Sequence, residues 1–362
     1  MKNSLVTGLL VLLFTFASCR NKEQAMPPRQ PVDSVGFTTH TWQTDSVISR
    51  IERLQAEKLN EAQSRLENAT PLRVALSPHD DYAYVGYLYP ALFEHIRSKV
   101  VIMFGVGHKA KNFRLEDKIV FGSFKEWKSP AGTIRVSDLQ QKIMSRLPLY
   151  QYIVHDSLQM VEHSLEALVP FLEHYDNGVS IIPIIVPYMS FDRITAIASS
   201  LSAAINETMK EEGLSWGSGY SIVISTDAVH YGNEDWGGKN YDRFGVDTTG
   251  YLKAFEFENK IVNETLAGML TPEKIRSFSN YTVMESDYHE YKWTWCGRYS
   301  VPLGLLTAFD LSLITREPLS GITVGYSTSI ENQPLPVSDI GMGVTAPAKL
   351  THWVGYAAIG YR

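Results

Sequence analysis

The sequence predicts an α/β protein with a central, largely parallel or mixed β-sheet and helices on both faces. Short apolar runs rich in Val and Ile alternate along the chain with longer amphipathic stretches. Gly, Pro or Ser bounds these runs, as is common where strands end. The composition, 44% hydrophobic and 20% charged residues, is ordinary for a globular protein with a large core. Alternation of this kind is typical of a sheet covered by helices.

Five of the apolar runs predict buried strands. Each is short and bounded by turn-forming residues, which favours a strand over a helix. The predicted strands are Leu72–Pro78, Lys99–Gly107, Val179–Pro187, Tyr220–Asp227 and Gly321–Thr328.

Amphipathic stretches before and between these strands predict the helices. They are Asp45–Leu66, Ser137–Arg146, Ser164–His174 and Arg193–Glu211. In sheets of this class, ligand sites lie beyond the carboxyl ends of the strands. The residues that directly follow each strand are therefore the first candidates for a functional site.

The N-terminus has the features of an export signal. Lys2 precedes an apolar run from Leu5 to Phe16, which is too short for a bilayer span of about 20 residues. Ala17-Ser18-Cys19 resembles a bacterial lipobox, although Phe16 stands where leucine is usual. We expect a signal peptide over residues 1–18, lipid on Cys19 and a flexible tether over 19–39. An ordinary cleaved leader is the alternative.

On the lipoprotein interpretation, the folded part is a single domain over residues 40–362, outside the cytoplasm. It would be anchored in the bacterial cell envelope, at the outer membrane rather than the inner one. Net charge is -6, and removing residues 1–18 takes away one lysine and no acid, giving -6 - 1 = -7. Without a basic cluster, this charge argues against a nucleic-acid partner.

Imidazole and carboxylate groups follow three of the predicted strands. His79 comes after the first strand, His108 after the second, and Asp227 and His230 after the strand that begins at Tyr220. Any one of them alone is more often a polar loop residue. Their recurrence at equivalent positions predicts that they converge at one edge of the sheet.

Cys296 is one of two cysteines in the chain, and the other, Cys19, is assigned to lipid. Three roles are open for its thiol. It could bind a metal together with imidazoles, or act as a nucleophile with His230 and Asp227. It could also be a small buried hydrophobe beside Trp293 and Trp295.

Six short motifs occur in a fixed order along the chain. They are SPH at 77–79, GVGH at 105–108, VEHSLEALVPFL at 161–172, STDAVHYG at 225–232, CGR at 296–298 and GYAAIGY at 355–361. In this order they resemble the motifs of the Memo family, which includes AmmeMemoRadiSam system protein B and is similar in fold to class III extradiol dioxygenases. The resemblance extends from about His40 to the C-terminus.

The resemblance implies a metal held by His79, His108 and Cys296, with Asp227 and His230 lining the same pocket. A transition metal is expected, with iron first and copper or zinc as alternatives. Further pocket candidates come from the motifs and their flanks: Asp80, Asp81, Tyr82, Glu162, His163 and Arg298.

This chain departs from the family beside the first presumed ligand. Family members commonly read PHAGY where this chain has two carboxylates, Asp80 and Asp81, before Tyr82. Lys109 and Tyr299 stand where a further histidine is found in relatives. The three presumed ligands are retained, but the pocket around them differs, so a relative's substrate does not transfer.

We expect a membrane-tethered metal protein, a metalloenzyme acting oxidatively or hydrolytically on a small molecule. Dioxygenase activity is not carried over with the fold, because a cysteine replaces the carboxylate of the iron site. The alternatives are a metal- or ligand-binding lipoprotein without turnover and a metal-independent hydrolase using Cys296, His230 and Asp227. Radical SAM system proteins are partners by resemblance only.

Overall fold

A computed structural model of the protein describes residues 26–66, 70–232 and 241–362. The helices are α1 Thr41–Leu54, α2 Ala56–Ser64, α3 Tyr82–Val85, α4 Leu88–Phe93, α5 Leu139–Arg146, α6 Asp156–Val161, α7 Val169–Tyr175, α8 Phe191–Glu211, α9 Thr248–Ile261, α10 Pro272–Thr282 and α11 Ser300–Thr315. The strands are β1 Val74–Ser77, β2 Val100–Val106, β3 Ile119–Phe121, β4 Glu126–Ser129, β5 Gly132–Val136, β6 Tyr152–Val154, β7 Ser180–Val186, β8 Tyr220–Ser225, β9 His230–Gly232, β10 Gly268–Met269, β11 Ser320–Thr328, β12 Ala348–Lys349 and β13 His352–Tyr361.

The main sheet is mixed and runs in the order β10-β11-β13-β1-β8-β2-β7-β3-β6. Its centre is parallel: β1 pairs with β8, β8 with β2, and β2 with β7. Antiparallel pairs flank this centre, with β13 on one side and β3 on the other. Three neighbouring parallel strands, β1, β8 and β2, therefore end at the same edge.

Helices cover both faces of the sheet. Successive residues of β1 show this, because Val74 and Leu76 belong to one core cluster and Ala75 to the other. The first cluster includes α8 and α11, and the second includes α1, α4 and α7. Such double coverage explains why the parallel strands read as continuous apolar runs. The predicted fold class is confirmed.

All five predicted strands are present, but two features of the sheet differ from expectation. The run at Gly321–Thr328 belongs to β11, which is antiparallel to β13 rather than part of the parallel centre. The long, fully buried β13 was not predicted as a strand, because Gly and Ala dilute its Val and Ile signal. The helix predicted over Asp45–Leu66 is interrupted at Gln55.

The predicted tether is wrong for residues 29–38, which pack on the domain. Arg29 is buried, forms an ion pair with Glu166 and lies 4.4 Å above the Trp127 ring. Phe37 and Thr38 are also buried. A buried charge needs its partner, so this pairing fixes the segment in place. We call residues 29–38 the N-terminal arm.

The signal peptide predicted over residues 1–18 and the lipidated Cys19 lie outside the described residues. Within the described ranges, no helix combines the length and hydropathy needed to cross a bilayer.

Candidate metal centre

The parallel strands bring His79 and His108 together at their carboxyl edge. The ring centroids are 5.5 Å apart, and the rings are nearly perpendicular. His79 is buried, and His108 is partly exposed to a cavity of about 540 Å³ that both residues line. The convergence expected from strand order is therefore present in the structure.

The Nδ1 atom of each ring is already engaged, which determines what remains for a metal. The Ser225 hydroxyl donates to the Ser164 carbonyl, so it accepts from His79 Nδ1–H at 2.8 Å. His108 Nδ1 lies 2.8 Å from Glu162 Oε1, an ionised acceptor. Both rings therefore carry a proton on Nδ1 and keep the lone pair of Nε2 available for a metal. In metal sites, hydrogen-bond partners that do not themselves bind the metal commonly hold histidine ligands in this way.

Cys296 reaches the same place from the loop before α11. Its Sγ lies 3.9 Å from His79 Nε2 and accepts from the Asp227 backbone N–H at 3.0 Å. Burial raises the pKa of the Cys296 thiol well above its ordinary value. A protonated thiol is a poor nucleophile, and a bound metal is the agent that stabilises its thiolate form.

Asp227 and His230 stand beside this group. Asp227 Oδ1 accepts from the His79 backbone N–H, and its Oδ2 lies 3.5 Å from His79 Nε2. Burial raises the pKa of Asp227 to about 7 and lowers the pKa of His230 to about 3.

The donor atoms fit a small transition-metal site. A tetrahedral zinc ion with bonds of about 2.0 Å to nitrogen and about 2.3 Å to sulfur separates its ligand atoms by about 3.5 Å. Ligand atoms of His79, His108 and Cys296 all lie within 4.8 Å of one another. Two imidazoles and a thiol are ligands suited to zinc, iron or copper, and this group could hold one such ion.

Comparison with known proteins identifies the family of this chain. A family model described as Memo-like protein matches residues 44–332. The chain belongs to the Memo-like family. Similar curated relatives are MEMO1 family proteins from Aquifex aeolicus, Thermotoga maritima and Pyrococcus horikoshii.

The first is 29% identical over 163 residues, covering 44% of this chain and 54% of the relative. The second is 29% identical over 174 residues, covering 47% and 56%. The third is 27% identical over 167 residues, covering 45% and 54%. The chain spans about half the length of the curated relatives it matches.

Among the residues that the structure describes, two other donor groups share residues with the first. One combines Asp227, His230 and Cys296, and the other combines His108, Glu162 and His163. Both oxygens of Glu162 are already hydrogen-bonded, because one holds His108 Nδ1 and the other accepts from the Lys109 N–H. Although burial opposes ionisation, His108 and His163 lower the pKa of Glu162 to about 2. Glu162 therefore orients a ligand rather than acting as one.

Some of the remaining pocket candidates line the cavity, and others support the residues that line it. His163 stacks on His108 with centroids 4.8 Å apart, and Asp80 lines the cavity 3.9 Å from His163. Asp81 also lines the cavity, but its carboxylate accepts from the Thr345 and Ala346 backbones and holds that loop.

Tyr82 does not line the large cavity, contrary to the prediction. Its side chain is buried beneath the site and donates to the Ala167 carbonyl. Packing against Tyr89 and Phe171 explains this position. Arg298 lies in a smaller cavity on the other side of Cys296.

Two features of the site were not anticipated from the sequence. Glu258 is fully buried and accepts from the indole N–H groups of Trp293 and Trp295, which fixes the loop that carries Cys296. It also accepts from the Val229 N–H, beside His230. A lone glutamate in an amphipathic helix gives no signal of this role. Val32 and Asp33 of the N-terminal arm also line the large cavity.

Proposed function

We propose that this Memo-like protein is a metalloenzyme that binds a transition metal through His79, His108 and Cys296 and acts oxidatively or hydrolytically on a small molecule. One observation carries the proposal: two imidazoles, each held at Nδ1, have ligand atoms within 4.8 Å of each other and of one thiol. When bound, the metal would supply Lewis acidity or redox chemistry to a ligand in the cavity.

The protein's own residues would orient the metal ligands and transfer protons in the pocket. Glu162 and Ser225 keep His108 and His79 in a fixed orientation. Asp227 lines the cavity with its Oδ2 3.5 Å from His79 Nε2, where a carboxylate can accept or return a proton. The cavity of about 540 Å³ is large enough for a small organic molecule.

The metal-independent hydrolase is less well supported than the metal proposal. Such an enzyme needs a Cys296 thiolate at neutral pH, and burial raises the pKa of this thiol. A metal-binding protein without turnover remains the alternative, and turnover separates the two. Oxygen uptake or product formation with catechols, esters or peptides by the metal-loaded protein would favour the enzyme.

The metal itself is tested by elemental analysis of protein purified without added metal. We expect near-stoichiometric iron, copper or zinc, lost in His79→Ala and Cys296→Ala. His174→Ala is the matched control, because His174 lies on the surface near Asp45. Absence of metal from the unmodified protein, together with failure to bind added metal, would refute the proposal.

Tethering to the cell envelope is a separate part of the proposal, supported by the apolar run and the lipobox-like Ala17-Ser18-Cys19. Cys19→Ala is expected to move the protein from the membrane fraction to the soluble fraction without changing its metal content. An unchanged distribution would refute lipid attachment and leave the metal site untouched.

A further inference from the structure

Arg298 has a buried side chain whose charge has no carboxylate partner among the described residues. It is 2% exposed. Nη2 donates to the His289 carbonyl at 2.8 Å, whereas Nε and Nη1 have no hydrogen-bond partner within the described ranges. A guanidinium cannot release its proton in a protein, so this positive charge is permanent.

Three tyrosine rings surround the guanidinium and compensate only part of the free-energy cost of burying its charge. Its Cζ lies 3.4 Å from the Tyr291 centroid, 4.9 Å from Tyr299 and 5.6 Å from Tyr188. Aromatic faces attract a cation. They do not take the place of the strong acceptors that N–H donors lose on leaving water, and an uncompensated buried charge is costly.

Arg298 lines a cavity of about 110 Å³, which is large enough for several waters or a carboxylate group. His108, Tyr291 and Cys296 line both this cavity and the large one. Apart from Arg298 and these three, the wall consists of backbone, Val, Pro and two tyrosines, and none of its described residues is acidic. An anion entering here would meet Arg298 on one side and two presumed metal ligands on another.

We propose that this cavity is a subsite for a carboxylate group of a small-molecule ligand and that Arg298 is the residue that recognises it. Two unused N–H donors match the acceptor oxygens of a carboxylate, and charge-assisted hydrogen bonds of this kind are strong. The inference deepens the proposed function by naming a substrate class. Binding of the carboxylate does not require the metal, and only contact between the bound ligand and the metal rests on the proposed function.

Sodium acetate and acetamide are a matched pair of probes, because they have nearly the same shape and differ in charge. The assay is the thermal unfolding midpoint of the metal-free full chain. Acetate should raise the midpoint in a concentration-dependent manner, and acetamide or sodium chloride at equal ionic strength should not. An equal response to all three overturns the proposal.

Arg298→Gln should abolish the acetate response or weaken apparent affinity by about tenfold or more. Arg193→Gln is the matched control: Arg193 also donates to backbone carbonyls and stacks on a tyrosine, and it lines neither of the two cavities. The control should respond like the unmodified protein. If Arg298→Gln does not fold, Arg298→Lys replaces it, because it keeps the charge and removes Nε and Nη1. Unchanged acetate affinity in the folded variant contradicts the assignment.

Two further experiments distinguish this subsite from the metal centre and from a phosphate site. Metal-free and metal-loaded protein should both show the acetate response. A response seen only in metal-loaded protein means that acetate binds the metal, which overturns the subsite. Inorganic phosphate should stabilise the metal-free protein less than acetate does, and the reverse order contradicts a carboxylate site.

Discussion

Glu162→Gln tests whether the orientation of His108 matters for metal binding. Glu162 is buried, and its two oxygens accept from His108 Nδ1 and from the Lys109 N–H at 2.8 and 3.2 Å. Glutamine keeps the size of the side chain but removes the charge. It also has one acceptor oxygen, so one of the two N–H donors must face an amide group instead.

The expected loss follows from the contact that Glu162 makes with a presumed metal ligand. Removing a partner that orients a metal ligand costs about 10- to 100-fold in metal affinity. That loss equals about 1.4 to 2.7 kcal/mol. We therefore expect Glu162→Gln to bind a metal about 10- to 100-fold more weakly than the unmodified protein.

Zinc is the probe of choice, because it has no redox chemistry, and a chromophoric chelator competing for it gives the affinity. Glu173→Gln is the matched control, since Glu173 accepts from the Ser129 hydroxyl and the Ala131 N–H far from the site. The control should bind zinc like the unmodified protein. Unchanged zinc affinity in folded Glu162→Gln would refute the role of Glu162 and weaken the case for His108 as a ligand.

Three further predictions concern stability and the position of the site. Burial raises the pKa of Glu258 to about 7 from an ordinary 4.5. Its contribution to stability is therefore full below about pH 4.5 and lost as pH rises through about 7, a change on the order of 3 kcal/mol. Urea unfolding of Glu258→Gln across this range should show a flatter profile. Arg29→Ala leaves Glu166 buried without a cation and should cost about 3–5 kcal/mol, with faster proteolysis of the arm. Gly297→Ala places a Cβ 2.3 Å from Thr226 Oγ1, so it should destabilise the fold by about 1–3 kcal/mol and weaken zinc binding.

Each of these has an outcome that contradicts it. A Glu258→Gln profile parallel to that of the unmodified protein would show that the group does not titrate as described. Arg65→Ala is the control for Arg29→Ala, because its ion pair with Glu61 is exposed and should cost less than about 1 kcal/mol; equal losses would contradict a buried clamp. Unchanged zinc affinity in Gly297→Ala would show that Gly297 does not determine the position of Cys296.

The sequence was most informative where one local pattern determines structure. The Val- and Ile-rich runs predicted β1, β2, β7 and β8 because both of their faces are covered. The residues following β1, β2 and β8 could then be placed together, because parallel neighbours end at one edge. Cys296 required the resemblance to a family, since nothing local to its loop brings it to that edge.

What could not be predicted depends on contacts between distant parts of the chain. Arg29 is separated by 137 residues from Glu166, and the polar, Pro-containing segment around it is typical of a tether. Glu258 gathers Trp293 and Trp295 from another element, and only the folded structure shows that their indoles share one carboxylate. Tyr82 follows the first presumed ligand closely, but its backbone turns away into α3 and carries the side chain under the site.

X-ray absorption at the zinc edge, on protein loaded with one equivalent of zinc, identifies the atoms that bind the metal. We expect one sulfur neighbour at about 2.3 Å and nitrogen neighbours at about 2.0–2.1 Å. The sulfur signal should disappear in any zinc retained by Cys296→Ala. A first shell of nitrogen and oxygen alone in the unmodified protein would contradict ligation by Cys296 and with it the proposed site.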